Sequence, residues 1–326
     1  MRRRTVVFVA LSALLALAVG LRLFARAGGF APSESGEILE LRLMRVASAI
    51  PVGVALAVSG VLLQSLLRNP LASPYILGLT SGSGLAIAIS LYVGYRATGN
   101  INQSSISVVP PILGALATIA LVYALAQRRG LLEPGTLILT GVIVSIIAGA
   151  LTMFVRQLLP DAGVAMTERW LMGNLRDDTT LLSWSITTGI VAVGLAFSAR
   201  LGPSLDAASL SDDEARSVGV NLARLRLTVF VLASAMTGAA VVAAGPIGFV
   251  GLICPHVMRL VVGPSHRALV IGGALFGAVL LVAADTVVTI VRFDSGRMPV
   301  GVLTALIGGP LFIAILRGST SRGVST

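Results

Sequence analysis

This 326-residue chain contains no lysine, and all 24 of its basic side chains are arginine. A phosphate-binding P-loop needs a lysine to reach the terminal phosphates of a nucleotide. Schiff-base enzymes need a lysine amine. The chain therefore cannot carry either kind of site. It has two histidines, His256 and His266, and neither lies in a nucleophile–base pattern, so we expect no enzyme activity.

Cysteine and charged residues are also scarce. The lone cysteine, Cys254, cannot form a disulfide within the chain, and with His256 two positions later it supplies at most half of a metal site. We expect a packed thiol and no metal. Charged residues make up 12% of the chain against 56% hydrophobic residues, and the mean hydropathy is +0.94. Such a chain has too little polar surface to cover a soluble globule, so it must dissolve in lipid.

Long apolar runs recur along the whole sequence. A membrane-spanning helix needs about 20 mostly apolar residues, and ten stretches approach that requirement. They lie near residues 6–24, 46–66, 75–95, 107–127, 135–157, 181–200, 226–244, 247–262, 268–291 and 300–317. The predicted fold class is therefore an all-α polytopic membrane protein with about ten transmembrane helices, forming a single domain over residues 1–326.

The arginines at positions 2–4 determine the predicted orientation. A secretory signal is one alternative, because residues 25–27 offer a small-x-small cleavage site. The apolar run from Thr5 to Phe24 is longer than a usual signal h-region, so we favour an uncleaved first helix with a cytoplasmic N-terminus. The predicted location is the plasma (inner) membrane, crossed many times. The net charge of +10 lies at helix ends rather than in a basic stripe with aromatics, so we expect no nucleic-acid partner.

Two prolines interrupt the segment between the second and third apolar runs. Its sequence is QSLLRNPLASPYILG over residues 64–78. Proline lacks an amide donor and biases the residue before it away from the helix. Asn69-Pro70 and Ser73-Pro74 therefore predict a tight turn between two membrane helices. Arg68 indicates the cytosolic side, since basic residues flank short cytoplasmic loops.

The most hydrophilic stretch, residues 206–226, lies on the same predicted side. Ser211 and Glu214 are three residues apart, which is the spacing of a capping box that begins a short helix. Gly219 suits the end of that helix. A plain solvated loop is the alternative interpretation.

Four glycine and proline positions recur at an offset of 185 residues. The pairs are Gly53 and Gly238, Gly60 and Gly245, Pro70 and Pro255, and Gly78 and Gly263. In a ten-span topology this offset predicts an inverted repeat, with approximate halves at 42–160 and 226–317. Glycines placed only for close helix packing are the alternative.

Residues 245–251 resist a continuous helix. Gly245-Pro246 is followed by Gly248 and Gly251, and each glycine costs a helix about 1 kcal/mol relative to alanine. A discontinuous helix is stable in a membrane only where it is buried in protein or lines a cavity. We therefore expect a buried helix break here.

Asp285 lies inside the apolar run 268–291. A carboxylate at the bilayer centre costs about 3 kcal/mol, so something must compensate it. A buried polar pair that ties helices together is one possibility. A proton relay in an ion-coupled carrier is the other.

Seven sequence blocks occur in one order along the chain. They are RLMRVASAIPVGVALAVSG at 42–60, QSLLRNPLASPYILG at 64–78, LGLTSGSG at 77–84, WLMG at 170–173, DDEARSVGVN at 212–221, GPIGFVGLICPHVMRL at 245–260 and MPVGVLTALIGGPLF at 298–312. Together they resemble the FecCD permease family, the membrane-spanning subunits of bacterial ABC importers for iron-siderophores, vitamin B12 and haem. The resemblance implies a fold like that of the vitamin B12 importer permease.

In that family the segment matching 206–226 is a coupling helix that docks on an ATPase. The implied contact residues are Asp212, Asp213, Glu214, Arg216 and Ser217. The small residues Ala215 and Gly219 would allow the ATPase to approach closely. Family arginines at the positions of Arg42 and Arg45 pair with glutamates of a substrate-binding protein, and the two share a helix face here. Ordinary interfacial anchoring is the alternative. Met44 replaces the family's usual proline, and Arg297 replaces a common acid, so Arg297 would strengthen the positive docking rim or alter partner choice.

The resemblance also implies gate and pathway residues. They are Asn69, Pro70, Ser81, Gly82, Pro134, Gly135, Gly245, Pro246 and Gly248. His256 and Asp285 belong to the general family pattern, so we interpret both as structural polar residues.

The expected function is that of the permease subunit of a type II ABC importer for a ferric siderophore, with haem and cobalamin as alternatives. A second copy or a close paralogue, two ABC ATPase subunits and an external substrate-binding protein would complete it in the lipid bilayer. No cofactor would bind the permease directly, since ATP and Mg belong to the ATPase subunits. An ion-coupled secondary transporter that uses Asp285 is the rival from another class, and a scaffold membrane protein is disfavoured by the broken helix.

Overall fold

The structure is a computed structural model that describes residues 2–33, 35–101, 108–128, 131–176, 180–291 and 296–320. Twelve α-helices account for most of these residues. They are α1 Arg2–Phe24, α2 Gly36–Leu66, α3 Leu79–Thr98, α4 Val109–Ala126, α5 Pro134–Gln157, α6 Asp161–Leu171, α7 Leu181–Ala208, α8 Asp212–Ser217, α9 Leu222–Ala244, α10 Val250–Val262, α11 His266–Ile290 and α12 Val300–Thr320.

A 3₁₀ helix and two short hairpins also occur among the described residues. A 3₁₀ helix spans Pro74–Leu77 between α2 and α3. One antiparallel hairpin pairs β1 Ala25–Arg26 with β2 Gly29–Phe30, and another pairs β3 Gln127–Arg128 with β4 Leu131–Leu132.

Each of the ten predicted apolar runs coincides with a helix, which confirms the all-α membrane fold. Among the described residues, seven helices are long and apolar enough to cross a membrane: α1, α2, α4, α5, α7, α9 and α11. α10 is apolar but shorter. The inverted repeat remains a prediction.

Several helix boundaries differ from those that the sequence predicted. α2 begins at Gly36, about ten residues early, because Ser35 caps it by accepting a hydrogen bond from the Ile38 amide at 3.4 Å. α7 continues through Pro203 to Ala208. α6 lies in a connection where no helix was predicted, since it is too short to appear as a membrane-spanning run.

The turn predicted at residues 64–78 is present. Arg68 has a φ of +48° just after α2. The Asn69 side chain accepts a hydrogen bond from the Leu71 amide at 2.9 Å. Ser73 then caps the 3₁₀ helix by accepting from the Tyr75 amide at 3.5 Å. The two X-Pro pairs thus separate α2 from α3, as expected.

α2 packs closely against α11, α9 and α10. Glycines allow the closest approaches, because a Cβ on Gly53 would overlap the backbone of Gly277 in α11. A Cβ on Gly60 would likewise overlap Gly251 in α10. Membrane helices approach this closely where small residues line the contact. By contrast, α1, α4, α5 and α7 leave many large apolar side chains exposed, as surfaces that face lipid require.

Helix ends collect at two opposite ends of the bundle. At one end, which we call the coupling end, Asp206 of α7 accepts a hydrogen bond from the His266 amide at the start of α11 at 2.8 Å. At the other, which we call the rim end, the Gly28 amide donates to the Ile290 carbonyl at 3.0 Å. In the predicted topology the coupling end is cytosolic and the rim end is external.

Candidate functional sites

The short helix α8 lies at the coupling end and begins with a capping box. The Ser211 hydroxyl accepts a hydrogen bond from the Glu214 amide at 3.2 Å, and the Glu214 carboxylate accepts one from the Ser211 amide at 2.9 Å. The bond from the Ser211 amide, with a second that the Ser211 hydroxyl donates to the same carboxylate at 2.7 Å, holds the pKa of Glu214 below its ordinary value. Gly219 has a φ of +85° just after the helix, in the left-handed region that glycine adopts readily. The helix and its cap are confirmed as predicted.

Asp212 connects α8 to two neighbouring elements. Its carboxylate accepts a hydrogen bond from Nη2 of Arg68 at 2.5 Å and from Nη2 of Arg226 at 2.9 Å. Arg68 lies in the turn after α2, and Arg226 lies near the start of α9. Partial burial raises the pKa of Asp212, but the charges of Arg226 and Arg68 outweigh this effect, so the pKa lies below its ordinary value. A displacement of α8 must therefore move α2 and α9 or break these ion pairs.

The helix α8 has a buried side and an exposed side. Ala215 is 0% exposed and packs into the protein, and its role in allowing an ATPase to approach closely remains a prediction. The other predicted residues of the helix reach solvent: Asp213, Glu214, Arg216 and Ser217. Leu210 and Val218, 55% and 66% exposed, flank them. Neither residue was predicted, although an apolar residue on each side of a charged helix was visible in the sequence.

A buried ion cluster lies at the rim end, where α1, α2 and α11 meet. Asp285 is 0% exposed, and its Oδ1 accepts from Nε of Arg45 at 2.7 Å. Its Oδ2 accepts from Nε of Arg22. Arg45 is 2% exposed, which corrects the prediction that it lies on an exposed docking face beside Arg42. The physical reason is that a carboxylate in an apolar helix needs buried cationic partners, and α2 supplies one of them.

The cluster lies near helix ends rather than at the bilayer centre. Asp285 is five residues before the end of α11, and Arg22 is two residues before the end of α1. Both carboxylate oxygens of Asp285 are engaged in ion pairs. This geometry agrees with the interpretation of Asp285 as a structural polar residue.

A cavity of about 260 Å³ at the rim end brings the predicted docking arginines together. Its lining includes Arg22, Arg26, Arg42, Arg45 and Arg297. Nη1 of Arg42 donates to the Leu23 carbonyl at 2.5 Å and to the Ala31 carbonyl at 3.1 Å, which holds Arg42 against the first hairpin. Arg42 is half-buried and Arg297 is exposed, so these two form the accessible part of the predicted docking rim.

The helix break predicted near residue 245 is confirmed. α9 ends at Ala244, and a non-helical segment that contains Gly245, Pro246 and Gly248 leads to α10. The Tyr75 hydroxyl donates to the Ile247 carbonyl at 2.7 Å and accepts from the Ile247 amide at 2.8 Å. The protein interior thus satisfies backbone groups that the break exposes. Tyr75 was not predicted, because nothing in the sequence distinguishes it from an aromatic residue that only packs.

The remaining predicted gate residues lie at three places in the fold: the turn after α2, the start of α3 and the start of α5. Asn69 and Pro70 form the turn after α2. Ser81 is half-buried in the first turn of α3, next to Gly82, where a Cβ would overlap Thr118 of α4. Pro134 is the first residue of α5, and Gly135 faces open space. Their roles in gating remain predictions.

His256 lies in α10 and packs edge-on against Phe312 of α12, with ring centroids 6.1 Å apart. Cys254, two residues earlier in the same helix, is a buried free thiol. Within the part of the chain that the structure describes, no three His, Cys, Asp or Glu side chains come together as a metal site requires.

Comparisons with known proteins identify the family of the chain. A model of the FecCD transport family matches residues 5–318. The cobalamin import system permease protein BtuC of Halobacterium salinarum is 35% identical, over 90% of this chain and 78% of its own length. The hemin transport system permease protein HmuU of Yersinia pestis is 37% identical, over 87% and 84%. The Fe(3+) dicitrate transport system permease protein FecD of Escherichia coli is 38% identical, over 86% and 84%.

A solved structure supports the same assignment. It is described as a metal-chelate type ABC transporter in an inward-facing conformation, and it matches with a TM-score of 0.85 at 29% identity. The match covers 96% of this chain and 99% of that one. With the family model spanning nearly the whole sequence and the bundle architecture in agreement, the chain belongs to the FecCD transport family.

Proposed function

We propose that this permease subunit of a type II ABC importer moves a ferric siderophore from an external substrate-binding protein to the cytosol. Two copies, or one copy and a close paralogue, would enclose the pathway. Two ABC ATPase subunits would bind ATP and Mg and supply the energy. The named relatives handle cobalamin, hemin and ferric dicitrate, so haem and cobalamin are the alternative substrates.

The capped and anchored helix α8 carries this proposal. Its exposed face combines charged side chains with the apolar Leu210 and Val218, and apolar anchors within a polar rim are typical of protein interfaces. Asp212 links the helix to the turn after α2 and to α9. An ATPase that pushes or pulls α8 would therefore move two membrane helices. A carrier that works alone has no need of such an element.

The geometry of Asp285 disfavours the ion-coupled alternative. Its two oxygens pair with Arg22 and Arg45, and both arginine side chains are at most 3% exposed. A coupling proton would have to displace a buried arginine before it could bind. The ion pairs instead support a role in joining α1, α2 and α11.

Uptake into liposomes tests the transport proposal. The liposomes contain the chain with its ATPase, and the external binding protein is added with radiolabelled ferric siderophore, haem or cobalamin. We expect ATP-dependent accumulation of the ferric siderophore. Accumulation without ATPase or ATP would overturn the importer mechanism, whereas ATP-dependent uptake of haem or cobalamin alone would overturn only the substrate.

The docking role of the exposed arginines is tested in the same system. Arg42→Glu combined with Arg297→Glu should weaken binding of the substrate-binding protein about tenfold or more, because rim charges steer and orient docking. Arg96→Glu is a matched control, since Arg96 is exposed at the end of α3 on the same predicted side. An equal loss of binding in the control would show that general surface charge causes the effect. That result would count against the docking rim.

A further inference from the structure

An apolar cavity of about 570 Å³ lies between α4, α7 and α9. Its walls include large exposed side chains, such as Leu116 of α4 and Ile186 of α7. No described residue that lines the cavity is charged. Ligand pockets typically measure about 300–1,000 Å³ and are mostly apolar. The cavity is therefore large enough to hold a ligand, and its lining suits an apolar one.

Small residues of α9 form the floor of this cavity, among them Ala235, Gly238 and Ala239. A glycine inside a helix costs about 1 kcal/mol relative to alanine. At Gly53 of α2 the close approach of α11 requires a glycine, because a Cβ would overlap the backbone of that helix. Gly238 has no such requirement, since a Cβ there would meet only the Leu79 side chain at an ordinary 3.7 Å. The missing side chain at Gly238 instead keeps the floor of the cavity open.

The cavity extends through about half of a bilayer. Its lining runs over residues 108–119 at the start of α4 and over residues 180–190 at the start of α7. Each stretch is about 15–17 Å long along a helix, whereas the hydrocarbon core is about 30 Å thick. In the predicted topology both helices begin at the rim end. The cavity therefore begins at the rim-end interface and ends near the middle of the bilayer.

This depth and this lining favour a lipid acyl chain as the occupant. α4 and α7 leave many large apolar side chains exposed, so hydrocarbon is the medium at this face. Apolar cavities stay dry, and an empty one forfeits the dispersion contacts of its lining. A membrane-spanning helix of another protein or of a second copy would need a groove along the whole core of about 30 Å. An acyl chain of one leaflet needs only half of that length.

We propose that this cavity binds one acyl chain of a phospholipid from the rim-end leaflet. The chain lies on Gly238 between Leu116 and Ile186, and its headgroup lies at the rim end, beyond Val109 and Thr180. Because no described residue of the lining is charged, the site does not distinguish between headgroups. It depends neither on the transported substrate nor on the ATPase.

Photo-crosslinking of the purified full chain in detergent tests this site. The probe is one equivalent of phosphatidylcholine that carries a diazirine near the end of one acyl chain. We expect the label to concentrate on the peptides of α4, α7 and α9 that line the cavity. Unlabelled phosphatidylcholine and phosphatidylglycerol should compete equally well. Label spread evenly over α1 and α5 as well would show ordinary solvation by lipid and would overturn the site.

Two leucine substitutions locate the bound chain. Gly238→Leu fills the floor of the cavity, so labelling of the three peptides should fall about tenfold, because a well-filled space does not accept further methylenes. Gly20→Leu is the matched control, since it adds the same side chain to α1 where a Cβ meets nothing within 4 Å. It should leave the labelling unchanged.

A third variant covers the case in which Gly238→Leu does not fold. Ile186→Trp changes an exposed wall residue and should reduce labelling severalfold. Undiminished labelling in a folded Gly238→Leu or Ile186→Trp protein would overturn the proposal. A covalent dimer formed from Ile186→Cys that carries a cysteine-reactive photo-crosslinker would show that a second copy covers the cavity. That result would also overturn the lipid assignment.

Discussion

Two aspartates, at opposite ends of this bundle, each lie between two arginines. The side chains of Asp212, Arg68 and Arg226 are 14% to 40% exposed, whereas those of Asp285 and its two arginines are 0% to 3% exposed. Solvent screens the first cluster, where a pair contributes about 0–1 kcal/mol. Removing one partner from a buried pair costs about 3–5 kcal/mol. The ion pairs of Asp212 can therefore break and re-form at the coupling end, whereas those of Asp285 hold the rim end together permanently.

Among these variants, Asp285→Ala should reduce the free energy of unfolding most. It leaves two arginines buried without their carboxylate, and we expect a loss of about 3–5 kcal/mol in the free energy of unfolding. Thermal unfolding in detergent, followed by tryptophan fluorescence, measures the loss. Asp212→Ala is the matched control, with an expected loss below about 1 kcal/mol. Similar losses for the two variants would mean that burial does not separate the clusters.

Ser211→Ala should have an intermediate effect, confined to α8. It removes the hydroxyl that caps the helix, and such a loss costs about 1 kcal/mol. Amide hydrogen exchange should show faster exchange in α8 and no change in α2 or α11. Ser217→Ala is the control, because its hydroxyl donates to the Glu214 carbonyl within the helix and caps nothing. Equally fast exchange in the control would count against the capping role.

Asp212→Asn should change coupling more than stability. The exposed ion pairs contribute about 1 kcal/mol or less, but they connect α8 to α2 and α9. We expect ATP hydrolysis to continue while uptake per ATP falls. Asp161→Asn is the control, since Asp161 is exposed at the start of α6, away from the coupling end. An unchanged ratio of uptake to hydrolysis in Asp212→Asn would show that Asp212 does not transmit movement from α8 to α2 and α9.

Acid should loosen the coupling end, with the smallest effect near neutral pH. Asp212 and Glu214 both have a pKa below their ordinary values. Their contribution is therefore complete above the ordinary range of about 4 and is lost as the pH falls through the lower pKa of the folded state. The protection factors of the α8 amides, which correct hydrogen exchange for its intrinsic pH dependence, should stay constant from about pH 7 to 5 and fall below about pH 4. A fall in protection already near neutral pH would contradict this assignment.

Most of the fold could be predicted from the sequence. Each membrane helix corresponds to an apolar run, and the connections contain prolines, glycines or charged residues. The turn after α2, the break after Ala244 and the capping box at Ser211 all follow from local chemistry. The early start of α2 could not be predicted, since its first ten residues are partly polar and extend beyond the apolar run.

The candidate sites could be predicted only where they depend on residues that are close together in the sequence. Arg42 and Arg45 share a helix face in sequence, yet Arg45 is buried because Asp285, 240 residues away, lies opposite it. Tyr75 satisfies a backbone break 172 residues away. Ala215 faces inward because of how α8 rests on the bundle. Such long-range pairings are set by helix packing, which a single sequence does not reveal.

Photo-crosslinking can show whether α8 contacts the ATPase. Val218→Cys, labelled with a benzophenone maleimide, places a photo-crosslinker on the exposed face of α8, and the native Cys254 is buried and should not react. We expect illumination of the intact transporter to crosslink the ATPase from position 218 and not from Arg96→Cys at the opposite end. Crosslinking from position 96, or none from 218 in an intact complex, would contradict the claim that α8 couples the permease to its ATPase.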